Sequence, residues 1–248
     1  MQLGLPVPIK YLNSTPIHPG MKSLSVFFPA YNDEGTIGKL VQEAAVLLPG
    51  IVDDYEIIVV DDCSPDSSGR IADALAKKNK HIRVIHHQEN RGAGGALLTG
   101  YRSASKEYVF YTDGDAQYNL QEVRNLIPYL QKSDVIVGYR KKRQDPFIRI
   151  LFSRIYHILL FFLFGLHLRD VDCSFKLIRK SLIDQVNIRA KTGFVDAELM
   201  WRLQQMRQRI IELPVTHYPR PVGRTQFFRF TAVYGMVMEA IKIRFNIR

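Results

Sequence analysis

Short apolar runs alternate with amphipathic segments through the first half of the chain. The apolar runs, typical of buried β-strands, are Leu24–Pro29, Glu56–Val60, His81–His87, Tyr108–Thr112 and Val135–Val137. The segments between them carry apolar residues at helical spacing and predict helices at Glu34–Leu48, Ser67–Lys78, Ala93–Ala104 and Leu120–Leu130. This alternation predicts an α/β fold with a mostly parallel sheet covered by helices on both faces.

Longer helical segments dominate the second half. Helical spacing predicts amphipathic helices at Pro146–Leu168, Asp196–Met206 and Phe227–Phe245, and short apolar runs predict strands at Ser174–Ile178 and Ile210–Thr216. We expect an N-terminal extension at residues 1–20, one domain at residues 21–226 and a C-terminal amphipathic helix at residues 227–248.

The composition is that of a globular protein with a basic surface. The 248 residues are 46% hydrophobic and 23% charged, which argues against a disordered chain and a multi-span membrane protein. The net charge of +10 favours an anionic partner such as nucleic acid, nucleotide phosphates or an acidic membrane. Cys63 and Cys173 form no zinc or disulfide pattern. The first twenty residues lack a signal-peptide pattern, and the longest apolar stretch, Ile158–Leu166, is shorter than the roughly 20 residues that span a bilayer.

Polar clusters follow the first four predicted strands. These clusters are Ala30–Glu34, Asp61-Asp62, Asn90–Gly92 and Asp113–Asp115. Because right-handed crossovers bring the carboxyl ends of parallel strands to one edge, we expect the clusters to lie together where open α/β sheets bind ligands. Carboxylates gathered at one edge repel each other unless a cation is present.

The Asp113-Gly114-Asp115 motif is the strongest chemical signal. Two carboxylates one residue apart at a strand end can reach a hard cation together with a bound diphosphate, and Mg²⁺ or Mn²⁺ prefers such oxygen ligands. The alternative is a solvated turn, which Asp-Gly favours. The other polar clusters favour the metal site.

Four motifs resemble those of a known family. They are Phe28–Glu34, Val60–Asp66, Asn90–Gly92 and Asp113–Gln117. In their order and spacing the chain resembles glycosyltransferase family 2, with the nucleotide-diphospho-sugar fold known as GT-A. The resemblance implies a metal-dependent transfer from a GDP- or UDP-linked sugar. It places Asp113, Asp115 and Gln117 at the metal. It implies donor contacts from Pro29, Ala30, Tyr31, Asn32, Glu34, Asp61, Asp62, Asn90, Gly92, Asp113 and Gln117.

Later motifs are similar to those of dolichyl-phosphate mannose synthases and related polyprenyl-phosphate glycosyltransferases. By that resemblance, Arg140 and Arg220 contact the donor, and Arg149 and Ser153 bind the phosphate of a polyprenyl or dolichyl acceptor. Segment Asp170–Lys176 resembles Asp-x-x-Ser-Gly-Phe-Arg, with Cys173, Ser174 and Lys176 as departures; Gly223 and Thr225 complete the motif around Arg220. The resemblance implies inverting transfer of a mannose- or glucose-type sugar, with residues 21–138 as the donor half and 139–226 as the acceptor half.

The helix predicted at Pro146–Leu168 supports a lipid acceptor. Arg149, Ser153 and His157 are four residues apart and share one face, whereas another face is apolar. A cation and a hydroxyl beside an apolar surface suit a lipid phosphate, and Lys141–Arg143 could meet anionic headgroups. The alternative is a core helix with a solvated basic face. We expect peripheral attachment to the cytoplasmic side of a membrane, directly or through an anchoring partner subunit.

Asp196 lies where the family carries a catalytic base. A hydroxyl acceptor needs a base, whereas a phosphate acceptor does not, so Asp196 either deprotonates the acceptor or positions it. The structural alternative is that Asp196 caps the start of the next helix. We expect Asp115, Asp196 and Arg149 to carry catalysis. The rival functions are a family 2 enzyme acting on a saccharide hydroxyl and a basic membrane- or nucleic-acid-binding module; we expect no nucleic-acid partner.

Overall fold

One central sheet organises the computed structural model, which describes residues 21–144, 147–221 and 230–247. The strands of the described part, in chain order, are β1 (Ser23–Ala30), β2 (Asp54–Asp61), β3 (Ile82–His86), β4 (Tyr108–Thr112), β5 (Val135–Arg140), β6 (Phe175–Arg179) and β7 (Ile210–Val215). They lie in the order β3-β2-β1-β4-β6-β5-β7. Only β6 runs antiparallel to its neighbours, β4 and β5. The predicted mostly parallel sheet is confirmed.

Helices cover both faces of this sheet. They are α1 (Ile37–Leu47), α2 (Ser68–Ala76), α3 (Gly92–Ser103), α4 (Val123–Leu126), α5 (Phe147–Phe164), α6 (Lys180–Gln185), α7 (Val195–Gln205) and α8 (Phe230–Phe245). Alternating side chains of a strand point to opposite faces. Val26 and Phe28 of β1 therefore join a core with α1, α2 and α4, whereas Phe27 joins a second core with α3 and α5 to α8.

Several predicted elements differ in detail. The helix expected at Leu120–Leu130 is a short α-helix between two 3₁₀ turns, the second of which, Ile127–Gln131, contains Pro128 near its start. Proline lacks the N–H that a continuous helix needs. Helix α5 ends at Phe164 and not at the predicted Leu168. The next residue, Gly165, has a φ of +61°, which ends the helix. Residues 1–20, 145–146, 222–229 and 248 lie outside the described residues, and with them Gly223, Thr225 and the helix starts predicted at Pro146 and Phe227.

Adjacent strands bring their polar carboxyl ends together at one edge. Ala30 pairs with Asp61 at the ends of β1 and β2, and the Gly114 N–H donates to the Pro29 carbonyl at 3.2 Å. One non-glycine residue just after each of β1, β2 and β4 has a left-handed backbone. These residues are Asn32 (φ 59°), Cys63 (φ 57°) and Ala116 (φ 57°). Such backbone costs about 1–3 kcal/mol and gathers at functional sites. No helix of the described residues has both the length and the apolar content needed to cross a membrane.

Candidate active site

A cavity of about 700 Å³ opens at this sheet edge. Thirteen of the residues predicted from sequence line it: Pro29, Ala30, Tyr31, Asp62, Asn90, Gly92, Asp113, Asp115, Arg140, Arg149, Ser153, Asp196 and Arg220. One wall comes from the ends of β1, β2 and β4, and the opposite wall comes from α5 and α8. Residues expected to bind the donor and residues expected to bind the acceptor therefore share one cavity.

Crowded carboxyl groups form the floor of the cavity. Burial raises the pKa of Asp113 to about 6, and the charge of Asp115 adds to the shift. Burial likewise raises the pKa of Asp115, against the charge of Arg220, and raises the pKa of Asp33 to about 6. Raised carboxyl pKa values mean that burial disfavours the ionised forms more than the nearby positive charges favour them. The floor therefore favours a cation.

Gly114 lets the motif lie against β1. A Cβ at residue 114 would come within 2.7 Å of the Pro29 carbonyl oxygen, closer than atoms pack. The Thr36 hydroxyl donates to the Gly114 carbonyl at 2.7 Å and fixes the turn from the side of α1. The two carboxylates are thus held beside the end of β1 because residue 114 has no side chain.

A divalent metal fits the Asp113–Asp115 pair. Both carboxyls line the cavity, and burial raises the pKa of each, so a hard cation bound there would favour their ionised forms. Oxygen ligands of this kind suit Mg²⁺ or Mn²⁺.

Arg220 lies on the same carboxylates. Its Nη2 is 2.7 Å from Asp115 Oδ2, and its Nη1 is 3.6 Å from Asp33 Oδ1. The sequence predicted a donor contact for Arg220. A guanidinium in this place can bind both a carboxylate and a diphosphate oxygen, because its planar group carries five N–H donors.

The amino end of α3 forms another part of the wall. Asp62 Oδ1 accepts from the backbone N–H of Arg91 at 2.8 Å and lies 2.6 Å from Nδ1 of His87. Asn90 Oδ1 accepts from the N–H of Gly92 at 3.0 Å. Helix α3 therefore begins at the cavity, and a helix amino end attracts anions such as phosphates.

Four predicted donor or metal residues lie outside the cavity lining. The Glu34 carboxylate accepts from the N–H of Ser67, and Asp61 Oδ2 lies 2.8 Å from Nδ1 of His86. The Gln117 side-chain amide donates to the Tyr218 carbonyl at 3.0 Å, while its backbone N–H donates to Asp115 Oδ1 at 3.1 Å. The remaining residue is Asn32. Ligand roles for these four stay predictions.

On the acceptor wall, Ser153 has partners that were not predicted, and its role at the acceptor phosphate stays a prediction. Ser153 donates its hydroxyl proton to Asp172 Oδ2 at 3.0 Å and accepts from Arg143 Nη1 at 2.8 Å. Burial raises the pKa of Asp172, but the hydrogen bond and charge of His157 outweigh burial and hold that pKa well below its usual range. The Ser153 proton is therefore committed to a carboxylate, and the hydroxyl holds Arg143. His157 reaches Asp172 but lines a separate groove.

Arg140 and Asp170 form a buried two-point ion pair. Arg140 Nε lies 2.6 Å from Asp170 Oδ2, and Arg140 Nη2 lies 2.6 Å from Oδ1. Burial lowers the pKa of Arg140, but the hydrogen bond to Asp170 raises it above its usual value. The predicted diphosphate contact of Arg140 would add to this pair.

Asp196 is held by three donors. The hydroxyl of Tyr101 donates to Oδ1 at 3.1 Å, whereas Tyr111 and Lys176 both donate to Oδ2 at 2.7 Å. Lys176 Nζ also donates to the carbonyls of Val171 and Cys173, and the lysine is 1% exposed. A carboxylate with these partners is a buried anion in an ion pair.

Sequence reasoning missed five residues at this site: Asp33, Arg143, Asp172, Ser174 and Lys176. Asp33 belongs to the motif at the end of β1, which was a usable signal. Arg143 was assigned to lipid headgroups, yet it lines the cavity. Ser174 and Lys176 were only departures from a motif, and a sequence does not reveal their partners.

Comparisons with known proteins agree with these features. A family model described as Glycosyl transferase family 2 matches residues 25–186. A dodecaprenyl-phosphate galacturonate synthase of Rhizobium johnstonii is 27% identical over 232 residues, which cover 91% of this chain and 67% of that protein.

Solved structures share the fold. The glucosyl-3-phosphoglycerate synthase of Mycobacterium tuberculosis with Mn²⁺, UDP and glucosyl-3-phosphoglycerate superposes with a TM-score of 0.72 at 20% identity, covering 92% of this chain and 81% of that one. The same synthase with Mg²⁺ and UDP gives a TM-score of 0.69 at 18% identity, with coverage of 92% and 81%.

Proposed function

We propose, from the premise that the chain belongs to glycosyl transferase family 2, that it moves a sugar from a nucleotide diphosphate to a polyprenyl phosphate. The family and the GT-A fold predicted from the motifs are confirmed. The relative from Rhizobium johnstonii carries a polyprenyl phosphate in its name, which supports this acceptor class. Mannose or glucose as the sugar, and GDP or UDP as the nucleotide, stay predictions.

One observation carries the proposal. The buried carboxyls of Asp113 and Asp115 and the basic side chains of Arg143 and Arg149 line the same cavity. The metal–diphosphate of a donor fits the first feature, and an anionic acceptor fits Arg149 and Arg143 on the second. Neither a simple nucleotide-binding module nor a membrane-binding module requires both.

In the proposed mechanism, Asp113 and Asp115 would hold a Mg²⁺ or Mn²⁺ ion, which would neutralise charge on the leaving nucleotide diphosphate. Arg220 and the amino end of α3 add positive charge for the same phosphates. Arg149 and Arg143 orient the acceptor phosphate, whose oxygen attacks the anomeric carbon with inversion. Positioning and charge stabilisation supply most of the rate.

The contacts of Asp196 favour a phosphate acceptor over a saccharide hydroxyl. A general base for a hydroxyl takes a proton on a carboxylate oxygen, and Asp196 would have to do so while Oδ2 accepts from Tyr111 and from the Lys176 ammonium and Oδ1 accepts from Tyr101. A phosphate oxygen is already anionic and needs no such base. A basic membrane- or nucleic-acid-binding module, the non-enzyme rival, leaves the acidic floor without a role.

We also propose that α5 contacts the membrane surface peripherally, on the cytoplasmic side. One stripe of the helix is exposed, and its side chains are Ile148, Leu151, Ile155, Ile158 and Phe162. Phe162 is 78% exposed. The opposite side of α5 lines the cavity through Arg149, so the bound phosphate would lie next to the bilayer that carries its lipid chain. An anchoring partner subunit stays a prediction.

If the exposed stripe of α5 contacts the membrane, negative charge introduced into the stripe should weaken membrane binding. Ile155→Glu with Phe162→Glu is expected to weaken binding to phosphatidylglycerol vesicles at least tenfold, because each apolar side chain contributes about 1.5–3 kcal/mol when buried. Vesicle co-sedimentation measures this. Val46→Glu on α1, also an exposed apolar position, is the control and should bind as wild type. Equal vesicle binding by all three proteins would contradict the membrane contact.

The activity itself is tested with purified protein, a polyprenyl phosphate and radiolabelled UDP-glucose, UDP-galacturonate and GDP-mannose. A lipid-linked sugar that forms only with Mg²⁺ or Mn²⁺ is the expected product. No lipid product from any donor, despite metal-dependent nucleotide binding, would overturn the acceptor. Absence of metal-dependent stabilisation by UDP or GDP would overturn the donor half.

A further inference from the structure

Segment Asp170–Ser174 lies between the two halves of the cavity and contacts both. Ser174 donates its hydroxyl to Asp113 Oδ2 at 2.5 Å. Two residues earlier, Asp172 accepts the hydroxyl proton of Ser153 at 3.0 Å. The segment therefore touches a carboxylate expected to hold the metal and a helix expected to hold the acceptor.

Buried interactions fix this segment in place. Asp170, at its start, is paired with Arg140 through two 2.6 Å contacts. Lys176 donates to the carbonyls of Val171 and Cys173, and its charge is balanced by Asp196. Ser174 is itself 3% exposed. A hydroxyl on so constrained a backbone can hold its partner in one orientation.

We propose that Asp170–Ser174 is a positioning segment, in which Ser174 orients Asp113 for the metal and Asp172 orients Ser153 and, through it, Arg143 for the acceptor phosphate. The proposal rests on the proposed function. Hydrogen bonds to a metal-binding carboxylate restrict its orientation, and losing one typically weakens metal binding about 10–100-fold.

Asp172 acts on the acceptor side by a different route. Its carboxylate takes the only proton of the Ser153 hydroxyl, so the lone pairs of Ser153 accept from Arg143 Nη1 at 2.8 Å. An uncharged amide at residue 172 could instead donate to Ser153, which would turn the hydroxyl proton away. Arg143 would then lose its hydrogen bond to Ser153, one of the contacts that hold it on the cavity wall.

Variants of Ser174 and Asp172 are each expected to change one of two measurements and to leave the other unchanged. Mn²⁺ affinity is measured by calorimetry on the protein saturated with UDP, and the KM for a short-chain polyprenyl phosphate is measured at saturating metal and donor. Ser174→Ala is expected to weaken Mn²⁺ binding at least tenfold and to leave that KM within about twofold. Asp172→Asn is expected to do the reverse, raising the KM at least fivefold with unchanged Mn²⁺ affinity.

Controls separate positioning from folding. Ser25→Ala removes another buried serine hydroxyl, which donates to Glu56 at the far end of the sheet, and should change neither quantity. Ser174→Gly removes the same hydroxyl with less volume and should match Ser174→Ala. Urea unfolding of each variant reports the loss of stability separately.

The outcomes distinguish the proposed function from the positioning roles of Ser174 and Asp172. Wild-type protein that binds no Mn²⁺ with UDP would overturn the proposed function. Wild-type protein that binds Mn²⁺ and transfers sugar, together with a Ser174→Ala variant of equal Mn²⁺ affinity, would overturn the positioning role of Ser174 alone. An Asp172→Asn variant with an unchanged acceptor KM would overturn the role of Asp172.

Discussion

Asparagine in place of Asp115 is expected to lower kcat/KM for sugar transfer by about 1000-fold, which corresponds to roughly 4 kcal/mol of transition-state stabilisation. The substitution removes one of the two charges that would hold the metal, and it removes one of the carboxylate partners of Arg220, the other being Asp33. A guanidinium released from Asp115 does not replace the ion, because its single charge is spread over a bulky planar group and would stabilise a diphosphate less than a small divalent cation would. Initial rates over a range of Mn²⁺ concentrations measure the effect.

A matched control is Asp54→Asn. Asp54 begins β2, at the end of the sheet away from the cavity, and its side chain is 59% exposed beside Lys106. This exposed pair contributes little, so activity should stay within twofold of wild type. Transfer by Asp115→Asn within tenfold of wild type, at any metal concentration, would mean that the metal lies elsewhere or is not needed.

Most of the fold could be predicted because its central strands are buried on both faces. Val26, Phe27 and Phe28 form a continuous apolar run, and the polar residues that follow mark where β1 ends. Polar residues also follow β2 and β4, and together these clusters indicated where the floor of the cavity lies. The orientation of β6 was not predictable, since the periodicity of a short strand carries no information about the direction of its neighbours.

The contacts within the site were less accessible to sequence reasoning. Ser174, just before β6, is hydrogen-bonded to Asp113, just after β4, and Lys176 on β6 is bonded to Asp196 on α7. Such pairs depend on tertiary packing, which local patterns do not encode. The prediction that Ser153 itself binds phosphate rested on a motif, whereas its observed partners are Asp172 and Arg143.

Asp196 links the stability of the site to its chemistry. Burial and then the charge of Asp196 keep the pKa of Tyr101 and of Tyr111 well above the usual value, so both hydroxyls remain donors. With Lys176 they give the carboxylate an environment built for an anion. The residue can thus serve as an anchor for β6 and the segment before it without exchanging a proton during the reaction.

Asp196→Asn is therefore expected to destabilise the protein by about 3–5 kcal/mol, because it leaves the Lys176 ammonium buried without a counter-charge. Both side chains of the pair are almost fully buried, at 1% and 9% exposure, so solvent does not screen the lost charge. Urea unfolding followed by circular dichroism measures the change in the free energy of unfolding. Lys176→Met combined with Asp196→Asn removes both charges and should recover much of the loss.

The activity of the Asp196→Asn variant distinguishes an anchoring role of Asp196 from a role as general base. For a phosphate acceptor, folded Asp196→Asn protein at low temperature is expected to keep kcat within about tenfold of wild type, since no proton has to be removed. Loss of a general base would instead cost about 100- to 10,000-fold. A stable Asp196→Asn protein with such a loss would contradict the anchoring role and restore the hydroxyl acceptor as the better account of this cavity.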